Sequence, residues 1–576
     1  MGDTGEAAAS RPARRERSWR RAWPRLSWPR LSWPRRAWLT RLLLPLLLSI
    51  ALVGIVAERA SPPGGPSTLG PPGAAANPAA PGADPAALIR AENARPGSPG
   101  WRITRTGAAH EIEGWAARTD VLPGQPLPVS VSTTAPTFTA TAYRMGWYGG
   151  ALARQVWVSP ATLPGTTQPP ATVSAVYPTG PTYTVSTRWS PSLTLDTTGW
   201  LPGAYLLRLD ASTGGQRFVP FTVRSPDQRG RLVLMNAVTT WQAYNDYGGY
   251  SLYHGPDGQA TDRARVVSFD RPYAGDGAGE FQGNELPLIA LAERLGLPLG
   301  YATDVDLSTE PHLLDGARGL ISLGHDEYWT RAMRTHATAA RDAGVNIAFL
   351  GANALFRQMR FAASPVGPDR LEVDYKGVQG DPLRYSDPKD VTVNWREPPV
   401  AEPESSLTGT LYECNPVDAP LVINDPSSWL WSGLVQRGRS IPHLVGSEYD
   451  RVNPGSPTPP GIQVLTHSPV TCRGAKTYSD SAYYTTPSGA GVFDAGTSLW
   501  VASLAGRCQV TCFSRADADL MRAVTGRLLS AFAAGPAGVP HPAVSNLPSL
   551  HEFAGDPTYG AGRTLNAQQN ERYGYG

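Results

Sequence analysis

The sequence predicts a multidomain α+β protein in which an N-terminal β-sandwich is followed by a doubly wound α/β domain with β-rich insertions. Three observations carry this reading. Between Glu111 and Arg224, short runs of β-branched and aromatic residues alternate with turn formers, the pattern of a sandwich. From Arg231 onward, apolar runs too short for helices alternate with amphipathic helical segments, which implies parallel strands joined by crossover helices. Gly and Pro number 60 and 56 among 576 residues, so long irregular connections are expected.

The length leaves room for two or three domains and a substantial core. The first 41 residues hold 11 Arg against Asp3, Glu6 and Glu16, a net charge of +8, whereas the whole chain carries +3. The body is therefore mildly acidic and gives no electrostatic reason to expect nucleic acid as a partner. The Arg/Trp/Pro repeat near the amino terminus runs into an apolar stretch, Leu42–Ala57, about 24 Å long as a helix and interrupted by Pro45. A basic region before a short apolar core reads as an export signal over 1–57, either cleaved near Ile55-Val56-Ala57 or kept as a membrane anchor. Arg35-Arg36-Ala37-Trp38-Leu39 resembles the twin-arginine pattern of proteins exported already folded. Either way the body is expected outside the cytoplasm, secreted or tethered to the cell membrane. The four cysteines fit that compartment, with Cys508/Cys512 and Cys414/Cys472 as pairs the sequence allows.

Residues 58–108 are rich in Pro, Gly and Ala and read as a spacer. The sandwich is expected over 109–225; within it Trp147, Tyr148 and Trp200 either form a sugar-stacking face or fill the core. The α/β domain, 229–535, opens with a strand at Arg231–Val238 that leads into a polar, aromatic loop, Thr239–Gly249. A helix at Leu286–Leu295 and a strand at Leu299–Ala302 follow. After Asn353 the chain turns irregular and β-rich, a last amphipathic helix spans Ala516–Ala533, and 536–576 reads as a flexible tail.

The stretch Ala317–Asn353 organises the rest. An apolar strand, Gly319–Leu323, stops at Gly324 and is followed by His325, Asp326, Glu327 and Tyr328. Thr330 is placed to cap a helix over Arg331–Ala343 that ends at Gly344, and a second apolar strand, Val345–Leu350, runs to Asn353. In open α/β sheets ligands sit at the carboxyl ends of strands, where both the polar cluster and Asn353 fall. Alternation along the chain turns His325 and Glu327 to one side, with Asp326 facing away or capping the next helix. The chain has no H-E-x-x-H, no P-loop, no G-x-S-x-G elbow and no cysteine at the strand-to-helix turn. Carboxylate, imidazole and phenol groups remain, which suit a hard metal ion or acid/base work. Tyr244 and Tyr247 are candidate phenol ligands, and Glu448 is a further acid at the end of an apolar run.

RMGWYGG (144–150), GAYLLRL (203–209), TWQAYNDYGG (240–249), GHDEYW (324–329), FLGANALFRQMRF (349–361), VGSEYD (445–450) and GAGVFDAGTSLW (489–500) follow one another as in a known family. Together they resemble the large (beta) subunit of N,N-dimethylformamidase. The resemblance implies a β-sandwich followed by a glutamine-amidotransferase-like α/β domain, holding a mononuclear iron (Fe3+) between two tyrosines and a glutamate. Carried over motif by motif, the metal ligands are Glu327, Tyr244 with Tyr247 as its alternative, and Tyr205; His325, Asn353 and Glu448 line the same pocket as catalytic groups, Glu448 as a general base. The expected function is that of an exported, iron-dependent hydrolase of a small amide-like substrate. Phe356-Arg357 stands where the family often has Tyr-Trp, which points to a pocket of different polarity and a substrate other than dimethylformamide. The alternative reading is a non-catalytic surface protein that binds carbohydrate or cell wall; membrane association and assembly into a homo-oligomer are compatible with both.

Overall fold

A computed structural model describes residues 84–174, 182–453, 455–506 and 513–550. The expected export segment, Cys508 and Cys512 lie outside the described residues. Among the described residues no helix is long and apolar enough to cross a membrane.

The sandwich forms as the alternating pattern requires. Strands Ile112–Ala116, Pro126–Thr133 and Leu193–Asp196 make one sheet, and a six-stranded sheet built around Gly203–Ala211, Thr137–Met145 and Gln216–Val223 faces it. Val129, Val131, Leu207, Leu209, Val219 and Phe221 close the core between them. The opposite parity of the second sheet, Tyr143, Met145, Ala204, Leu206 and Phe218, belongs to a second core shared with the α/β layer. The two layers are further locked by Arg144, whose guanidinium donates to Glu293 at 2.6 and 3.0 Å with both side chains fully buried. Of the three expected sugar-stacking aromatics, Trp200 stacks on Tyr205, Tyr148 is buried against Arg144 and Glu92, and Trp147 lies under Arg294. They form no common face.

The spacer expectation fails at its carboxyl end. Pro85–Asn93 is a helix (α1), capped by the Asp84 carboxylate, with Ile89 and Glu92 buried. Asn93 Oδ1 accepts from the backbone N–H groups of Trp147 and Tyr148, and Trp101 is buried, so this segment is held by contacts remote in sequence.

The α/β layer is a seven-stranded sheet. Its strands are β1 (Leu232–Asn236), β2 (Leu299–Thr303), β3 (Gly319–Ser322) and β4 (Asn346–Phe349), then, past a twisted hairpin of β5 (Leu411–Val422) and β6 (Ser440–Arg451), β7 (Gln463–Cys472), β8 (Ala475–Thr485) and β9 (Gly491–Asp494). The order is β2-β1-β3-β4-β9-β8-β7. The first five are parallel, and β8 and β7 complete the edge antiparallel. Both faces are buried, as a parallel sheet demands. Leu232, Leu234 and Ile321 pack with helices α3 (Leu286–Arg294), α6 (Trp500–Leu504) and α7 (Arg515–Ala534), whereas Val233, Met235 and Leu320 pack with α4 (Asp304–Thr309) and α5 (Arg331–Asp342). α5 starts where Thr330 Oγ1 accepts from the Met333 N–H, and it ends before Gly344, whose φ of +99° only glycine adopts readily.

Two expectations are corrected here, and one allowed cysteine pair is formed. The loop expected after β1 is a helix, α2 (Val238–Tyr244), because its polar side chains are satisfied by distant partners: Thr239 donates to the Asp304 carboxylate and Trp241 Nε1 to Glu285. The tail is packed as far as it is described: the carbonyl of His541 accepts from Tyr483 Oη, and Asn546 Oδ1 accepts from the Val464 N–H. Cys414 and Cys472 form a disulfide that ties β5 to the end of β7.

Candidate active site

Four parallel strand ends converge on one rim. β3 ends in the Gly324–Tyr328 turn, where Gly324 has φ +52° and a Cβ would strike the Asn284 carbonyl. β4 leads to Asn353, itself at φ +60° and held by a hydrogen bond from its N–H to Asp450 Oδ1 at 2.8 Å. β1 leads directly into α2, whose last residue is Tyr244. The turn after β9 binds the hairpin that carries Glu448: the Ser498 N–H donates to the Glu448 carbonyl at 3.3 Å.

Glu327 is the centre. Its N–H donates to Thr240 Oγ1 at 2.9 Å, which ties the β3 turn to α2. Its Oε2 accepts from Tyr244 Oη at 2.8 Å and Tyr253 Oη at 2.6 Å, and the two phenol oxygens are 2.7 Å apart with their rings stacked. The contacts continue outward: Tyr328 Oη donates to Tyr253 Oη at 2.7 Å, and Lys376 Nζ donates to Tyr328 Oη at 2.8 Å while lying over the Tyr253 ring. Beside the phenols, His325 Nε2 lies 3.7 Å from Glu327 Oε2 and 3.0 Å from Glu448 Oε2. Glu448 Oε1 accepts from Asn415 Nδ2 at 3.1 Å, and the Asn353 side chain also hydrogen-bonds this carboxylate. A cavity lined by Trp241, Tyr244, Asn245, Tyr273, Glu280 and Phe281 reaches the cluster from the Tyr244 side.

The electrostatics sort these groups. Burial, then the Glu327 carboxylate, pushes the Tyr244 and Tyr253 phenols well above their ordinary range. Burial also opposes charge on His325, but Glu448 and Glu327 outweigh it and raise the imidazole to about 9. Glu448 is held below the usual carboxylate range because His325, Asn415 and Asn353 overcome its burial. The pair is thus an imidazolium and a carboxylate at neutral pH. Two buried atoms here, Asn353 Oδ1 and Arg357 Nε, have no hydrogen-bond partner, whereas His325 Nε2 and Glu448 Oε2 meet each other at 3.0 Å. Buried polar atoms are normally satisfied, so orphans gathered in one place mark a volume meant for another molecule.

Of the expected site residues, Glu327, Tyr244, His325, Asn353 and Glu448 are brought together. Tyr205 is not. It belongs to the core-facing parity of its strand with Leu207 and Leu209, stacks on Trp200 and Phe221, and donates its hydroxyl to the Leu201 carbonyl. Tyr247 is also elsewhere, donating to Glu113 of the sandwich at 2.9 Å. Asp326 faces away, as alternation requires, but does not cap α5: its carboxylate accepts from Ser322 Oγ and Trp329 Nε1. The second phenol beside Glu327 is Tyr253, which the sequence reading missed. The available signal was Gly248-Gly249, whose φ values of +78° and +86° reverse the chain so that Tyr253 returns beside Tyr244.

Among the described residues no group of three or more His, Cys, Asp and Glu side chains is arranged to hold a metal ion. The phenols change the chemistry of the donor set. Three oxygens, from Tyr244, Tyr253 and Glu327, crowd within 2.8 Å of one another, and two carry protons that a cation would displace. Such an all-oxygen set fits a small hard ion.

A family model described as N,N-dimethylformamidase beta subunit-like, C-terminal, matches residues 139–512. No curated protein matches the chain. Among solved structures, a Paenibacillus sp. cycloisomaltooligosaccharide glucanotransferase complexed with cycloisomaltoheptaose is 15% identical. The match covers 22% of this chain and 15% of that one, with a TM-score of 0.13, and carries no argument.

Proposed function

The chain belongs to the N,N-dimethylformamidase beta subunit-like family, and from that premise we propose that it is a metal-dependent hydrolase of an amide-like C–N bond. The observation that carries the proposal is the placement of the Glu327 carboxylate within 2.8 Å of two phenol oxygens and 3.7 Å from an imidazole that is paired with Glu448. Tyr244, Tyr253 and Glu327 would hold the mononuclear ferric ion that the resemblance implies. When bound, such an ion supplies Lewis acidity, polarising an amide carbonyl and lowering the pKa of a water.

The remaining steps belong to the chain's own groups. Glu448, kept ionised by its neighbours, takes a proton from the attacking water. His325, kept protonated, gives one to the departing amine nitrogen as the C–N bond breaks. Asn353 steadies the Glu448 carboxylate and presents its own unpaired Oδ1 to the substrate.

Residues 109–225 serve in this reading as a sandwich domain and 229–535 as the catalytic domain. The parallel sheet with helices on both faces supports a glutamine-amidotransferase-like wrapping of the latter. We also infer that the protein works outside the cytoplasm, a reading supported by the Cys414–Cys472 disulfide. Metal analysis of the purified protein, with a visible spectrum for phenolate-to-metal charge transfer, tests the proposal. Metal-free, colourless protein that hydrolyses no small amide after iron loading would refute it.

A further inference from the structure

Arg357 is a cation of the site whose charge the machinery above does not use. It is fixed from the backbone: its N–H donates to the Glu327 carbonyl at 2.9 Å, and Tyr328–Trp329 pairs in parallel with Arg357–Gln358. Its side chain is therefore set beside the reactive carboxylate, with Nε 3.8 Å from Glu327 Oε1 and the Tyr328 and Tyr253 phenols within electrostatic reach. That is too long for a hydrogen bond. Among the described residues the guanidinium makes no hydrogen bond at all, and its Nε is fully buried. A guanidinium has five N–H donors in a fixed fork; the side chain is 15% exposed, and leaving its buried Nε–H unmet is costly.

The neighbours do not remove the vacancy. Phe356 offers its ring at 4.9 Å from Arg357 Cζ, and Tyr412 packs on Phe356 at 5.0 Å, so the wall is aromatic. Asp374 acts on the Arg357 charge more strongly than Glu327 does; its Oδ1 accepts from the Lys376 N–H, and its charge is shared between the buried Lys376 ammonium and Arg357. Arg357 thus keeps a guanidinium without an aligned hydrogen-bond acceptor beside Glu327, the carboxylate at the centre of the site.

We propose that Arg357 is a specificity-determining residue that anchors a carboxylate on the substrate, so that the enzyme acts on small amides carrying an anionic group, the class of N-acyl amino acids. This rests on the hydrolase reading for the word substrate, but the anion site itself does not. The planar fork matches a carboxylate in a bidentate pair, and the aromatic wall of Phe356 and Tyr412 flanks the chain between that carboxylate and the amide.

The test separates binding from turnover. Calorimetric titration of the full-length, metal-loaded protein compares N-acetylglycine with N-methylacetamide, which keeps the amide and lacks the carboxylate. The expected result is affinity for N-acetylglycine about 100-fold or more above that for the neutral amide, reduced to parity in Arg357→Met and only partly restored in Arg357→Lys, which keeps the charge but not the fork. Arg357→Gln serves as a second uncharged variant, with near-ultraviolet circular dichroism as the check on folding. Equal affinity for the two ligands in the native protein, or a preference that survives in Arg357→Met or Arg357→Gln, would overturn the inference. If the carboxylate preference holds while neither compound is hydrolysed, the anion site stands and the hydrolase reading is the one that fails.

Discussion

Replacing Tyr253 and Tyr205 in turn by phenylalanine decides which phenol completes the centre. Tyr253→Phe deletes one oxygen from a cluster in which Glu327 Oε2, Tyr244 Oη and Tyr253 Oη lie 2.6 to 2.8 Å apart. Even residues that only support metal ligands typically cost 10- to 100-fold in affinity, so loss of one of three donors is expected to cost more than about 100-fold. That corresponds to about 2.7 kcal/mol or more. The fold should survive, because the ring and its stacking on Tyr244 remain. Tyr205→Phe removes a buried hydroxyl whose one partner is the Leu201 carbonyl, far from any reactive group, so it should lower stability by about 1 kcal/mol and leave the metal untouched. The assays are metal content by mass spectrometry, the charge-transfer band and the denaturant midpoint of each variant. Iron retained in Tyr253→Phe but lost in Tyr205→Phe would refute the geometric assignment.

Further outcomes follow from the same contacts. With the His325 imidazole raised to about 9 by Glu448 and Glu327, the proposed role as acid requires kcat/KM for amide hydrolysis to fall as pH rises past that value, and His325→Gln to abolish the limb along with most of the activity. Asp494 is raised to about 7, chiefly by burial. A raised carboxyl favours the folded state below the unfolded pKa and loses that contribution as pH climbs through the folded one. Asp494→Asn should therefore be more stable than the native protein at pH 8, on the order of a few kcal/mol, with the advantage shrinking toward pH 4. Arg144→Met strands the buried Glu293 charge and should cost about 3–5 kcal/mol in chemical denaturation. Removing both Cys414 and Cys472 opens a loop closed over a sequence separation of 58 and should cost about 4 kcal/mol by loop entropy, visible as a lowered unfolding temperature.

The β3-α5-β4 unit was legible because each boundary is local: Gly324 and Gly344 stop the elements and Thr330 starts the helix, all within one turn of what they govern. The same locality put His325, Glu327 and Asn353 on the strand-end rim. What the sequence hid depends on partners far along the chain. α2 is poor in strong helix formers and is held by Thr239 and Trp241 donating to Asp304 and Glu285, 65 and 44 residues away. α1 was mistaken for spacer because its anchors, the N–H groups of Trp147 and Tyr148, lie 54 and 55 residues beyond Asn93. Tyr205 was misplaced by motif order alone, although the alternation of GAYLLRL already turned it toward Leu207 and Leu209.

The buried acids around the rim show how one carboxylate is kept ionised among neighbours whose pKa values burial raises, as the proposed proton transfer requires. Asp326, Asp450 and Asp494 are all pushed upward, chiefly by burial, and none has an adjacent cation strong enough to reverse it. Glu448 is as deeply buried, yet it is pulled downward, because His325 stands 3.0 Å away and Asn415 and Asn353 donate to it. Burial by itself would have made Glu448 another neutral acid and a useless base. The imidazole therefore does two things at once: it keeps Glu448 ionised, and by the same pairing it keeps its own proton to a higher pH. Neither half of the pair can be retuned alone, so a substitution such as Glu448→Gln should lower the His325 pKa as well as remove the base, converting the acid limb of the reaction along with the basic one.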